Sequence, residues 1–439
     1  MNKTLAFKGL RYNSAKVGDI EEVIAPPYDV ISSDHQDILY SRNPKNIIRL
    51  ILGKEYPLDC EGNNRYSRSQ KSFEEWIADG TLVEEKSPSI YLCAHRFKLG
   101  GQEEERIGVI VRRKLERFGE GSIHPHERTL AGPKIDRLKL TRSCKANFSQ
   151  VFGLYHDSNL TIDDIWRSYM QNNEADITVN ESSGESSRIW VISDKAILDK
   201  VLSFFEDIQI VIADGHHRYE TALAYQEEQL ATSTLSDDPS NYVMMFLANS
   251  AAAGFKVLPT HRVLLNSANG NYDNFVKKLE EYFTVEQVAI SKDDISELED
   301  RLLAKKDAKL PSIGLILSED SGMLLNFINK DSYLKLVEDL PEPEELKLLD
   351  VSILQNLIFE QMLNITKEQV ANKVDVKFTV DSKHAKKLVD SGAATATFLL
   401  NSIDIEKVYE VAKSGYTMPQ KSTYFYPKLL SGLVINKLC

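Results

Sequence analysis

The chain has 439 residues, 42% of them hydrophobic and 27% charged, with a net charge of −12. Its length exceeds what one core usually serves, so two or three domains are expected, and its acidity argues against general nucleic-acid binding. Cys60, Cys93, Cys144 and Cys439 are widely spaced with no CxxC pair, which suggests reduced thiols, with no disulfide framework and no structural zinc expected. No run of about 18 apolar residues and no apolar leader is present, so a soluble, cytoplasmic protein is expected.

Leu5 to Leu10 reads as a short strand, followed by the proline turn "APPYDV". Residues 34–90 read as mainly helical, including "QKSFEEWIADG", which ends at Gly80. "SIYLCAHRFKL" and "RIGVIVRRKL" flank Gly100 and Gly101 as a hairpin. A loop bearing His124, His126 and Glu127 follows, then a helix from Pro133 and the apolar stretch "FSQVFGLY". "TVNESSGESSR" is a solvated loop before the strand "IWVI". Ile208 to Ile212 predicts a buried strand, and Tyr219 to Leu230 a helix. "YVMMFLAN" is another buried strand, leading to "GFKVLPTHRVL". Helix and strand then alternate from about 270. The acidic stretch 338–346 marks a junction. The expected division is 1–265, 266–345 and 346–439, all α/β, with the last segment docked on the core.

Between the strand at 208–212 and the helix from 219 lies "ADGHHRYETA". Asp214, Gly215, His216, His217 and Arg218 thus occupy a strand-to-helix turn, where unpaired N–H groups favour anions, phosphate above all. Gly215 would let the backbone approach a phosphate, and Arg218 would add charge-assisted hydrogen bonds. Asp214 would coordinate Mg²⁺ or accept a hydroxyl proton, and one histidine would hydrogen-bond a transferring phosphoryl group. The plainer alternative is an Asp214 helix cap with histidines filling a polar turn.

His124 and His126 face one way in an extended segment, and the adjoining Glu127 is a candidate base or metal ligand. From Lys134 to Lys145 five cations (Lys134, Arg137, Lys139, Arg142, Lys145) meet one anion, Asp136, a local charge of +4. That contrast with the acidic background favours an anionic small ligand, although a solvated face is the common meaning of such a run. Tyr28 and Asp29 are fixed by the preceding prolines, as part of a site or as a turn in which Asp29 caps the helix at 33–41. Arg262 is a candidate for binding phosphate or carboxylate, with a surface ion pair equally open. Lys421, in "MPQKSTYFYPK", could reach a phosphate, but no P-loop spacing surrounds it.

The turn resembles the loop of the ParB/sulfiredoxin superfamily, in the Asp-Gly-His-His-Arg form carried by its free-serine kinases. The segments "VIAPPYDVIS", "RNPKNIIRLILGKE", "HPHERT…PKIDRLKL", "VLPTHRV" and "MPQKSTYFYPKLLSGLV" together resemble a large prokaryotic family of unknown function associated with serine biosynthesis. The chain departs from that family at "NSAAAGF" (249–255), where an acidic residue and proline are usual, and at Gln355, where histidine is common. The resemblance implies a ParB/sulfiredoxin-like nucleotide-binding domain elaborated by additional α/β segments. It implies an ATP- or ADP-dependent kinase, running forward on serine or backward from phosphoserine. In that reading Gly215, His216 and Arg218 bind the nucleotide, with Mg²⁺ on Asp214. Glu127, Asp214 and His217 carry catalysis, while Lys134, Arg137 and Arg262 bind the acceptor. The partner is a small molecule, with no nucleic acid and no membrane, and a homodimer is compatible. A metal-dependent phosphatase built on His124, His126 and Glu127, or a non-catalytic nucleotide-sensing module, are the alternatives.

Overall fold

Tyr242–Asn249 is buried at every position, and such a strand needs a covered sheet on both sides. The computed structural model describes residues 2–127, 131–181, 184–230, 238–266, 272–292, 294–371 and 375–439. The fold is mixed α/β, with helices and several sheets. It divides into two compact units: Met1–Pro125 with Thr129–Lys256 and Pro427–Cys439, and His126–Arg128 with Val257–Tyr426. Among the described residues no helix is long and apolar enough to cross a membrane.

The first unit is built on a nine-stranded mixed sheet. Its strands are β1 (Thr4–Leu5), β2 (Ile90–Leu99), β3 (Gln102–Lys114), β4 (Ile123–His124), β5 (Val151–Tyr155), β6 (Ile177–Asn180), β7 (Ser186–Ile192), β8 (Ile210–Asp214) and β9 (Tyr242–Asn249). They run in the order β4-β8-β5-β9-β3-β2-β7-β6, with β1 also on β3. The β2–β3 hairpin turns at Gly100 and Gly101, both at positive φ, as expected from the paired glycines. Val109, Val151, Ile210, Ile212, Met245 and Leu247 build one core with Trp166, Phe205 and Tyr219. A second core gathers Leu39, Ile48, Phe73 and Trp76 with Leu140, Phe148 and Ile435.

Three helices matter for the site: α1 (Arg65–Ala78), α2 (Ala131–Cys144) and α3 (His216–Leu230). The helix at Ser33–Arg42 is capped by the Ser32 hydroxyl, which accepts from His35 N. Asp29 instead lies within the 3₁₀ turn Tyr28–Val30, so the capping role expected for it falls to Ser32.

The second unit carries a six-stranded antiparallel sheet. Its strands are β10 (His261–Leu265), β11 (Phe283–Ala289), β12 (Ser312–Ile316), β13 (Ser321–Phe327), β14 (Val376–Thr379) and β15 (Ala394–Leu399), in the order β11-β13-β12-β15-β10-β14. Residues 266–345 and 346–439 therefore share one sheet, and Pro427–Cys439 belongs to the first unit. The compact division falls at 256/257 and 426/427 rather than at 265/266 and 345/346, because strand pairing joins what the acidic stretch 338–346 separates in sequence.

Candidate functional site

Ile210, Val211 and Ile212 are fully buried, and β8 delivers Asp214 to its end. Gly215 then turns the chain at φ +87°, and α3 starts at once with His216. Glycine is needed here twice over. The left-handed backbone disfavours any side chain, and an added Cβ would lie 2.8 Å from Arg218 Nε. Tyr219 N donates to Gly215 O at 3.0 Å, closing the first turn. His216 is buried and His217 half-buried, so His217 has the more accessible ring. The geometry is that of an anion-receptive helix start.

Two cations converge on Asp214. Arg218 Nη2 donates to Oδ2 at 2.6 Å and Lys428 Nζ to Oδ1 at 2.8 Å. All three side chains keep less than a fifth of their surface. Arg218 Nη1 also donates to the Gln150 carbonyl. A carboxylate that meets two cations is a poor resident Mg²⁺ ligand, and this donor set does not fit the metal role expected of Asp214.

Arg218 also lines a small recess with Tyr28, Arg137, Asn147, Ser149 and Thr221. The Arg137 guanidinium stacks 4.0 Å from the Tyr28 ring centroid. Its donors are committed, Nε and Nη2 to Asp136 and Nη1 to the Ile51 carbonyl. Burial works to raise Asp136, but Arg137, Tyr66 and Arg65 outweigh it and hold the carboxyl below its ordinary range. Arg137 thus reaches the recess through its stacked face, with its polar edge already used.

Two further cations of α2 are answered by α3. Lys134 Nζ lies 2.9 Å from Glu220 Oε2, and Arg142 Nε donates to Glu228 Oε2 at 2.9 Å. A helix–helix ion-pair seam, invisible along one chain segment, thus meets half of the local +4 of the sequence. Lys134 is not among the residues lining the recess.

Glu127 and Arg262 belong to the second unit. Glu127 Oε2 accepts from Lys421 N, while Oε1 accepts from Thr423 N and Oγ1, each at 3.2 Å. His126 Nε2 pairs with Thr423 Oγ1 at 2.8 Å. Arg262 is buried and donates to the carbonyls of Thr260, Gln420 and Lys421. Burial lowers it to about 10 despite the opposing pull of Glu127 and Asp350. These contacts hold the segment 420–423 in place. His126 and Glu127 thus share the Thr423 hydroxyl, while His124 pairs with Gln209 at 2.7 Å.

Lys428 was not singled out from sequence. It lies within "MPQKSTYFYPK", where Lys421 drew the attention instead. Lys421 uses its backbone N–H on Glu127, whereas Lys428 brings its ammonium to the turn.

No curated protein matches the chain. Solved structures similar to it include a conserved hypothetical protein from Pyrococcus furiosus, at 14% identity and TM-score 0.34, over 72% of this chain and 92% of that one. A free serine kinase in complex with AMP is similar at 12% identity and TM-score 0.35, over 69% and 83%. SbnI with C-terminal truncation from Staphylococcus aureus is similar at 8% identity and TM-score 0.31, over 71% and 82%. Likeness at these TM-scores carries no weight for activity. The DUF1015 family, described as protein of unknown function, matches residues 4–352, and the chain belongs to that family.

Proposed function

We propose that this protein binds ATP or ADP at the 214–218 turn and transfers phosphoryl to or from a small hydroxylated metabolite, free serine or phosphoserine first. The observation that carries this reading is Gly215 at φ +87° opening a fifteen-residue helix, with Arg218 and Lys428 gathered beside it. A ParB/sulfiredoxin-like character of the first unit belongs to the same proposal, on the Asp-Gly-His-His-Arg resemblance. The N–H groups at the start of α3 would receive a phosphate, with His216 contributing backbone more than ring. Arg218 would exchange part of its hold on Asp214 for the phosphate, and Lys428 would keep that carboxylate neutralised. His217 would hydrogen-bond the transferring group. Phosphoryl transfer asks mainly for such positioning and charge neutralisation. No step is assigned to a metal on Asp214.

A second reading, nucleotide sensing without turnover, is favoured by one feature: both Asp214 oxygens are already engaged by cations. Phosphorus NMR of the purified chain separates the two, with Mg²⁺ and ATP or ADP, plus serine or phosphoserine, in separate combinations. Transfer between nucleotide and amino acid is the expected result. Tight nucleotide binding without new phosphorus resonances establishes the sensor instead, and neither binding nor turnover overturns both.

A further inference from the structure

His95 lies in β2 of the first unit, and the β6–β7 turn brings two carboxylates to it. Glu181 N donates to the Glu185 carbonyl at 2.8 Å, pinching the turn, and Ser187 of β7 pairs in register with His95. His95, Glu181 and Glu185 each offer a ligand atom within 4.8 Å of the other two. His95 is only 5% exposed, and its Nε2 has no hydrogen-bond partner although Glu185 Oε2 is 3.5 Å away. Glu181 Oε1 is likewise buried without a hydrogen bond. Burying polar atoms in this way is costly unless something pairs with them.

We infer that His95, Glu181 and Glu185 form a binding site for one divalent transition-metal ion that clips the β6–β7 turn to β2. One neutral imidazole nitrogen and two carboxylate oxygens suit Zn²⁺ or Mn²⁺, and three protein ligands leave room for water on the ion. Bonds of about 2.1 Å would set the donors roughly 3–3.5 Å apart, so side-chain adjustments of an ångström or so complete the site. The surroundings support the assignment. Arg106 pairs in register with His95 but donates to the Pro427 carbonyl and stacks 4.8 Å from Phe152, which directs it away as a hydrogen-bond donor. Glu181 and Glu185 bring two carboxylates together beside His95, a like-charge approach that a dication would relieve. The donors are histidine and glutamate, which is why the absence of a cysteine pair gave no hint of the site.

The test is calorimetric titration of the full, untagged, chelator-stripped chain with ZnCl₂ and MnCl₂, against MgCl₂. One Zn²⁺ per chain at micromolar affinity or tighter is expected, with Mg²⁺ far weaker. Glu181→Gln and Glu185→Gln should each weaken Zn²⁺ at least roughly tenfold while preserving the far-ultraviolet spectrum. His95→Gln should do the same, and the two glutamate variants keep the test valid if it misfolds. Asp214→Asn should bind Zn²⁺ as the parent does. No Zn²⁺ uptake by the folded parent, equal uptake by the glutamate variants, or loss of uptake in Asp214→Asn would each overturn the assignment.

Discussion

Lys428 Nζ reaches Asp214 Oδ1 at 2.8 Å, although the two residues are 214 positions apart in the chain. The opposite carboxylate oxygen is held by Arg218, four residues along the same turn. The candidate phosphate turn is therefore a three-residue electrostatic assembly. A double-mutant cycle on Lys428→Met and Asp214→Asn should return a coupling of about 1–3 kcal/mol in chemical denaturation, as for a largely buried charged hydrogen bond. Additive effects would show that the contact contributes nothing to the fold.

Arg218→Ala should weaken ATP or ADP binding by roughly 10- to 150-fold, equivalent to about 1.5–3 kcal/mol for a charge-assisted contact. Stability should fall as well, since the Gln150 carbonyl and Asp214 both lose a donor. Calorimetry and thermal melting read the two effects separately. Unchanged nucleotide affinity would remove the clamp role.

Gly215→Ala combines a left-handed backbone with a Cβ driven into the Arg218 guanidinium. The backbone alone costs about 1–2 kcal/mol. Displacing Arg218 should add a loss of nucleotide affinity of roughly tenfold, about 1.4 kcal/mol. Retention of parental melting temperature and affinity would mean that the turn adapts and that glycine is not required.

Glu127→Gln should act on stability. Its carboxylate accepts three hydrogen bonds from Lys421 and Thr423, and charged acceptors exceed neutral ones by about 1 kcal/mol. Faster hydrogen exchange of the 420–423 backbone is the expected reading, with turnover following the folded fraction. A fall in turnover of roughly 10²–10⁴ at parental stability would instead restore Glu127 as the general base.

Two buried groups of the second unit oppose each other in acid. Burial lowers His261 to about 4, helped by Arg262, while its Nδ1 accepts from Leu400 N. Burial raises Asp350 to about 6 against its hydrogen bonds from Val351 and Asn401 and the charges of Arg262 and Lys306. The unfolded chain binds the His261 proton first, so that group destabilises the fold as pH falls from about 6.5 toward 4. The folded chain binds the Asp350 proton first, so stability rises as pH falls through about 6. Asp350→Asn should therefore lose about 2 kcal/mol relative to the parent between pH 7 and 4.5. Hydrogen exchange of β10, compared at equal pH, measures it, and His261→Asn should shift the opposite way. Parallel pH profiles for parent and Asp350→Asn would contradict the opposition.

Much of the local structure was legible because it depends on short-range pattern. The run Ile208–Ile212 announced β8, "YVMMFLAN" announced β9, and two glycines announced the β2–β3 turn. The helix after the turn begins at His216 rather than Tyr219, since Gly215 alone supplies the break and polar residues can occupy a first turn. What sequence withheld depends on distant partners. Lys134 and Arg142 read as a basic face until Glu220 and Glu228 of another helix are placed beside them. Arg262 read as an anion binder or a surface ion pair until its burial was known, because one arginine looks the same in either setting.

The last thirteen residues, Pro427–Cys439, belong to a unit whose other parts end at Lys256. Leu10 pairs with Ile435, Ala25 with Ser431, and Asn147 with Asn436, so the partners of these three residues are made only after the whole second unit. At about 5–20 residues per second, the roughly 170 residues in between occupy a ribosome for on the order of 10–30 s. Throughout that interval Asp214 exists without its lysine. A ribosome that stops short of Lys428 releases a chain with the turn already encoded but one of its two cations missing.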